Sequence, residues 1–500
     1  MQIQVRASHY CLIIAIYLFI ALPTFAQIAD SVSNREIKKQ QLKKGIEQKL
    51  KTLRTLNPKG TFGIKVYSLT HKEILYELNS WKLFKPASNL KVLTSACAIT
   101  YLGKDFCFKT PILIEGYIKD SVLYGNLIIV GSGDPSFSGR LYDNNPFAVF
   151  EQWADTLKAK GIFCINGSVI ADDSLIDLQF PSPDRDYSEF AHEWWNTENT
   201  AFSFNDNQVT IRITPTQINK YAYIETYPKT NHVLIQNECL TTGGKWASIK
   251  VSRKQNSYKF VIKGSIGILH GKYEEDFAVC NPTQYFLDAL VDTWQKKGIK
   301  IKGYAIPKYQ IADFSKSNCD TLFVHTSKNI FELLYPVNNN SNNMYADAFF
   351  LKVGAELGGV GNYSNSMICF RYFLEQVAGT CYFDLADGSG LSHCNKITPD
   401  LMIKVLEFMY SKPYFEDYLK TFSIPGVCGT AYERLYSPYL NGHTYAKTGS
   451  IYGVEAFSGY YHSPKTGEWI AFSYLGNELT QKKASLPHER DLIEWIAKVF

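Results

Sequence analysis

The chain has 500 residues, of which 45% are hydrophobic and 20% charged, with a net charge of +5. Such a composition buries a core and excludes a disordered chain. The charge is small for the length and comes with no dense Lys/Arg stripe or nucleic-acid-binding motif, so nucleic acid is excluded as a partner. At roughly 150 residues per domain, the length allows two to four domains.

The first element reads as a targeting segment. MQIQVRASHY carries one Arg and no acid, CLIIAIYLFIALP is an apolar run of signal-peptide length, and Thr24-Phe25-Ala26 places small residues before a cut. The run is short for a membrane-spanning helix. The expectation is an exported, periplasmic or otherwise extracytoplasmic protein, cleaved after Ala26, with no firm membrane anchor. Ten cysteines follow Cys11, with no CxxC pair and no His at metal-ligand spacing. No metal is expected and no disulfide is assigned.

From Ser33 to Thr55 a basic stretch repeats Ile37, Leu42, Ile46, Leu50 and Leu53 near helical spacing, which predicts a helix with one face on the body of the protein. FGIKVYSL and EILYEL alternate apolar and polar around THK and predict a β-hairpin. Pro86 then opens a helix carrying Leu90, Val92, Leu93, Ala96 and Ile99. Between Pro111 and about Pro307 the chain is strand-rich: GYIKDSVLYGNLIIVGSGDP, GIFCINGSVIADDS, NQVTIRITP and YKFVIKGSIG are short alternating runs closed by turn residues. AVFEQWADTLKAKGI and QYFLDALVDTWQKKGIKIKGY interrupt them as helices. Beyond Phe323 come the helical patterns KNIFELLYPV, MYADAFFLKVGAEL and LMIKVLEFMY. Two long strands follow, HTYAKTGSIYGVEAFSGYYHS and EWIAFSYLGN, and then the helix HERDLIEWIAKVF, with Leu492, Ile493, Trp495, Ile496 and Val499 on its apolar face.

Three short signals carry chemistry. Ser88 and Lys91 stand three residues apart, which on a helix puts them on one face with about 5–6 Å between Cβ atoms. An amine there can take a hydroxyl proton once burial or a nearby cation depresses its pKa. No other Ser in the chain has Lys at the third following position. Ser341-Asn342-Asn343 lies at a loop-to-helix junction, where Ser and Asn also serve as ordinary caps; a second Ser-x-Asn occurs at Ser203-Phe204-Asn205. Lys-Thr-Gly occurs twice. Lys447–Gly449 leads into a long β pattern, whereas Lys465–Gly467, in SPKTGE, reads as a hairpin tip.

The order Ser-x-x-Lys, Ser-x-Asn, Lys-Thr-Gly is that of the penicillin-recognising serine enzymes. PASNLKVLTSACAITYLG, GNLIIVGSGDP, FSFNDNQV, NNNSNNMYADAFF, DGSGLSHCNKITP, SIPGVCGTAYERL and AKTGSIYGVEAFSGY narrow it further. Through them the chain resembles the low-molecular-mass class C penicillin-binding proteins, the D-Ala-D-Ala carboxypeptidase/endopeptidase family. The resemblance implies an α/β (α+β) fold: a β-lactamase/transpeptidase-like domain made of residues 27–110 and 311–500, split by a mainly β or α+β insertion at 111–310. It also implies Ser88 as nucleophile, Lys91 as base, Ser341 as proton relay, Asn343 as orienting group, and Lys447, Thr448, Gly449 and Ser450 as the strand that holds the substrate. Lys447 would lend positive charge to depress Lys91. Peptidoglycan stem peptides and β-lactams are the implied partners, with no cofactor. Departures are Asn342 for the usual Asp, Asn340 for a common basic residue, and His393 for a common Arg. The alternatives are a class C-like β-lactamase or esterase, and a wall-binding homologue that has lost catalysis.

Overall fold

The computed structural model describes residues 34–500 except 178–189, 312–315, 317, 380 and 381. The targeting segment lies outside the described residues. The first helix, residues 34–56, buries Leu42, Ile46, Leu50 and Leu53, while Ile37 is 48% exposed. Ile37 precedes Leu42 by five residues, which at about 100° per residue turns it far off the buried stripe. The expected hairpin is present as Thr61–Ser68 and Glu73–Leu78.

These strands join a sheet built from both ends of the chain, in the order Thr444–Ile451, Val454–His462, Trp469–Asn477, Thr61–Ser68, Glu73–Leu78. Every neighbouring pair is antiparallel. Val454–His462 is buried along nearly its whole length, because both faces of the sheet are covered. On one face the helix at 34–56 and the C-terminal helix Lys482–Val499 share a core with Phe62, Ile64, Phe457 and Phe472. On the other lie the helices Leu90–Leu102, Asn343–Gly358, Tyr363–Ala378 and Pro399–Tyr410.

The expected long strand HTYAKTGSIYGVEAFSGYYHS is two strands. Tyr452 and Gly453 form a two-residue turn between Ile451 and Val454, with φ +70° at Gly453, a conformation that favours glycine. Lys465–Gly467 lies on an exposed turn between Val454–His462 and Trp469–Asn477, as expected of a hairpin tip.

The central block contains a seven-stranded sheet whose main path runs Lys300–Ile301, Cys164–Asn166, Val122–Val130, Lys109–Lys119, Asp320–Thr326. The closing strand Asp320–Thr326 pairs antiparallel with Lys109–Lys119, so by strand pairing the block continues past residue 310 to Thr326. Two three-stranded sheets stand between Gln208 and Ala278. The helices Ala148–Ala159 and Pro282–Lys296 fall where their patterns place them. Among the described residues Cys97, Cys107, Cys164, Cys239, Cys280, Cys319, Cys369 and Cys428 are free thiols.

Candidate active site

Ser88 sits in a single turn of 3-10 helix, Ala87–Asn89, that leads into Leu90–Leu102. The turn is closed by Asn89 N–H donating to the Pro86 carbonyl at 3.2 Å. Ala87 has φ +48°, a strained value for a residue with a side chain. The neighbouring loop holds it there: a Cβ on Gly390 would stand 2.0 Å from the Ala87 carbonyl oxygen. That loop is laced by Asp387, which accepts from Gly390 N–H and Ser392 N–H at 2.7 Å each and from Asn395 Nδ2 at 2.9 Å.

Lys91 lies one helical turn on and is fully buried. Its Nζ donates to Ser88 Oγ at 2.9 Å, Asn343 Oδ1 at 2.7 Å and the Ser389 carbonyl at 2.6 Å. Asn343 opens the helix Asn343–Gly358, which Asn342 caps by accepting from Tyr345 N–H at 3.1 Å. The other end of the Asn343 amide donates to the Trp195 carbonyl at 2.9 Å, so a loop of the central block braces the site. Ser341, just before the cap, has φ +61°.

The strand Thr444–Ile451 is an edge of its sheet. It presses on the nucleophile turn: Asn89 Nδ2 donates to the Lys447 carbonyl at 3.1 Å, and a Cβ at Gly449 would meet Pro86 O at 2.9 Å and Asn89 N at 3.0 Å. Gly449 is therefore needed for contact with the Ser88 turn. Thr448 Oγ1 donates to Thr430 Oγ1 at 2.7 Å. Ser450 Oγ donates to Glu455 Oε1 at 2.9 Å and accepts from Lys482 Nζ at 2.7 Å. The buried Glu455 carboxylate also pairs with Lys482 at 2.9 Å and with Arg434.

Ser88, Ser341, Asn343, Thr448, Gly449 and Ser450 line one cleft of about 630 Å³. Lys91 and Lys447 are buried behind it. The second Lys-Thr-Gly and the second Ser-x-Asn do not line it. Phe190, Trp194 and Trp195 from the central block form an aromatic wall, with Tyr452 on the rim, 93% exposed. His393 lines the cleft, with Nδ1 3.3 Å from Lys85 Nζ. Cys428 Sγ accepts from Asn339 Nδ2 at 3.1 Å.

Burial pushes the Lys447 ammonium well below the usual lysine range, and the charges of Lys91 and Arg434 push it the same way. Lys447 is therefore itself a depressed amine. Arg434 is itself lowered to about 10 by burial. Among the described residues no group of three His, Cys, Asp or Glu side chains could hold a metal ion.

A sheet covered on both faces, with a Ser–Lys pair at the foot of its edge strand, defines a serine hydrolase of the transpeptidase-like class. The chain belongs to the D-Ala-D-Ala carboxypeptidase 3 (S13) family, whose model matches residues 42–499. It is similar to the D-alanyl-D-alanine carboxypeptidase DacB of Haemophilus influenzae, 27% identical over 96% of each chain. It is also similar to the D-alanyl-D-alanine carboxypeptidase of Actinomadura sp. strain R39, 25% identical over 83% of this chain and 77% of that one. In fold it matches crystalline penicillin binding protein 4 from Haemophilus influenzae with a TM-score of 0.76, covering 89% of this chain and 99% of that one at 24% identity.

Proposed function

We propose that this peptidase hydrolyses the terminal D-Ala-D-Ala bond of peptidoglycan stem peptides through an acyl-enzyme on Ser88. The observation that carries the reading is Lys91 Nζ at 2.9 Å from Ser88 Oγ, at the floor of a cleft lined by the other motif residues. Ser88 Oγ attacks the carbonyl of the penultimate D-Ala while neutral Lys91 takes its proton. Asn343 holds the Lys91 amine against the hydroxyl. The backbone N–H groups of Ser88 and Ser450 receive the developing oxyanion. Ser341 passes a proton to the departing D-Ala nitrogen, and water then releases the acyl group. Lys447, buried beside Lys91, exchanges a proton with it, and when protonated it attracts the terminal carboxylate together with the Thr448 and Ser450 hydroxyls. Ser450 must turn from Glu455 to do so.

A β-lactam mimics the D-Ala-D-Ala end and acylates the same serine in this mechanism; a solved relative, penicillin binding protein 4 from Haemophilus influenzae, has been crystallised in complex with a β-lactam. The central block acts as an inserted unit within the split catalytic domain, and the aromatic wall it contributes shapes access for cross-linked substrates. Export with cleavage after Ala26 would deliver the enzyme to its polymer. The test is chromatography of pentapeptide and cross-linked muropeptides after incubation with the enzyme. Loss of one D-Ala, abolished by Ser88→Ala, is expected. Intact pentapeptide would overturn the proposal in favour of a wall-binding role.

A further inference from the structure

Among the described residues no helix is long and apolar enough to cross a membrane. One end of the central block nevertheless displays large apolar side chains, none of which lines the cleft. Three segments meet there, at residues 215–222, 242–247 and 267–272. Leu269 is 76% exposed and Trp246 79%, with Ile218, Tyr221 and Ile268 also exposed around them.

These side chains are held outward by a fixed frame. Gly267 N–H donates to the Trp246 carbonyl at 2.8 Å, Leu269 N–H to Gly244 O at 2.9 Å, and Ile268 N–H to Thr242 O at 2.9 Å. The segment at 215–222 is tied to the same strand end by Thr241 N–H donating to Lys220 O at 2.7 Å. A Cβ on Gly267 would stand 2.3 Å from Gly244 O, so the two tips can interlock only with glycine there. The frame therefore fixes Trp246 and Leu269 in water instead of folding them inward, at a cost the fold has no internal use for.

The charge at this tip has one sign. The three segments contain Lys220, Lys245, His270 and Lys272 and no Asp or Glu. Lys272 is engaged by Glu274 on the adjoining strand at 2.8 Å, which leaves Lys220 and Lys245 as the cations of the tip itself. Trp and Tyr rings favour the membrane–water boundary, aliphatic tips enter the acyl region just beneath it, and lysines extend to anionic headgroups. A sugar polymer would be met by flat rings and hydrogen-bonding side chains, and Leu269, Ile268 and Ile218 offer it nothing.

We propose that this tip docks the enzyme reversibly on an anionic lipid bilayer, with Trp246, Leu269 and Ile268 inserted and Lys220 and Lys245 at the headgroups. The site is separate from the cleft, and the proposal does not depend on the catalytic assignments.

The test is co-sedimentation of enzyme purified from the exported fraction with vesicles of phosphatidylcholine, alone or mixed with phosphatidylglycerol. The expected result is binding to the mixed vesicles that weakens at high salt, where the Debye length is shorter. Trp246→Ser/Leu269→Ser should bind at least about tenfold more weakly. Lys220→Gln/Lys245→Gln should bind on the order of 30-fold more weakly, since each lysine at an anionic surface strengthens binding about fivefold. Both variants should keep the parent's circular-dichroism spectrum and melting temperature, which shows that they fold. Absence of binding to either vesicle, or equal binding by parent and both variants, would overturn the proposal. So would self-association that the Trp246/Leu269 variant abolishes without any vesicle binding, since that assigns the tip to a second copy of the chain.

Discussion

Replacing Lys447 by methionine should separate catalysis from folding. Lys447 is fully buried, and its Nζ donates to the Thr448 carbonyl at 2.7 Å. Methionine keeps similar length and bulk. Removing the amine relieves about 1–3 kcal/mol of polar burial, but it leaves the Thr448 carbonyl short of a donor at a comparable cost of about 1–3 kcal/mol. The two nearly cancel, so stability should shift by no more than about 2 kcal/mol. Acylation should fall by about 10²–10⁴ if Lys447 manages a proton in that step, equivalent to about 3–5 kcal/mol of barrier. The pH dependence adds a second mark. Burial lowers the folded-state pKa of Lys447, so the unfolded chain binds more protons in the alkaline window below the ordinary lysine value. Stability of the parent therefore rises with pH through that window, and Lys447→Met should flatten the rise. Lys465→Ala, on an exposed turn, should change stability by less than about 0.5 kcal/mol and leave acylation unaltered. The assays are time-resolved acylation by a fluorescent penicillin and thermal melts across pH. Parent-like acylation in Lys447→Met, or equal slowing in Lys465→Ala, would remove Lys447 from the proton chemistry.

Gly449→Ala should slow acylation by about tenfold or more, because its Cβ would crowd Pro86 O and the Asn89 amide and push the strand off the Ser88 turn; an unchanged rate in the same fluorescent assay would show that the contact gives way freely. Glu489 is buried beneath the sheet and accepts from Tyr474 Oη at 2.8 Å, and burial pushes its carboxyl up from 4.5 to about 7. The folded protein thus holds that proton to higher pH than the unfolded chain, and stability falls as pH rises from about 4.5 to about 7. Glu489→Gln should lose this slope, worth up to about 3 kcal/mol; melts at pH 5 and pH 8 that keep the parent difference would contradict it.

The catalytic sheet and its helices are legible in the sequence because their periods are strong. The hairpin at Thr61–Leu78, the helix after Pro86 and the C-terminal helix fall where the patterns place them. Order along the chain makes the motifs readable, since three weak signals in fixed sequence are far less frequent than any one. Several features leave no local trace. The strand Asp320–Thr326 lies at a sheet edge with no fully buried residue and no regular alternation, and its pattern does not distinguish it from a loop. The helix Tyr363–Ala378 buries a regular stripe, but Ile368 and Tyr372 on its exposed face blur that stripe in the sequence. Ile451 to Val454 reads as continuous β sequence, and only the positive φ at Gly453 reveals the turn. The partners that set the site's chemistry are also hidden, because Ser389 and Trp195 act through backbone carbonyls that any residue possesses. Glu455, Arg434 and Lys482 converge on Ser450 from three separate segments, a juxtaposition that only the folded sheet creates.

Everything proposed for the cleft rests on Ser88 as the acylated nucleophile. Intact-protein and peptide mass spectrometry after reaction with benzylpenicillin addresses that assignment without any intervening step. A single lasting adduct is expected, on a peptide containing Ser88 and absent in Ser88→Ala. An adduct on another residue, one that survives Ser88→Ala, or rapid turnover of the penicillin with no adduct would contradict it.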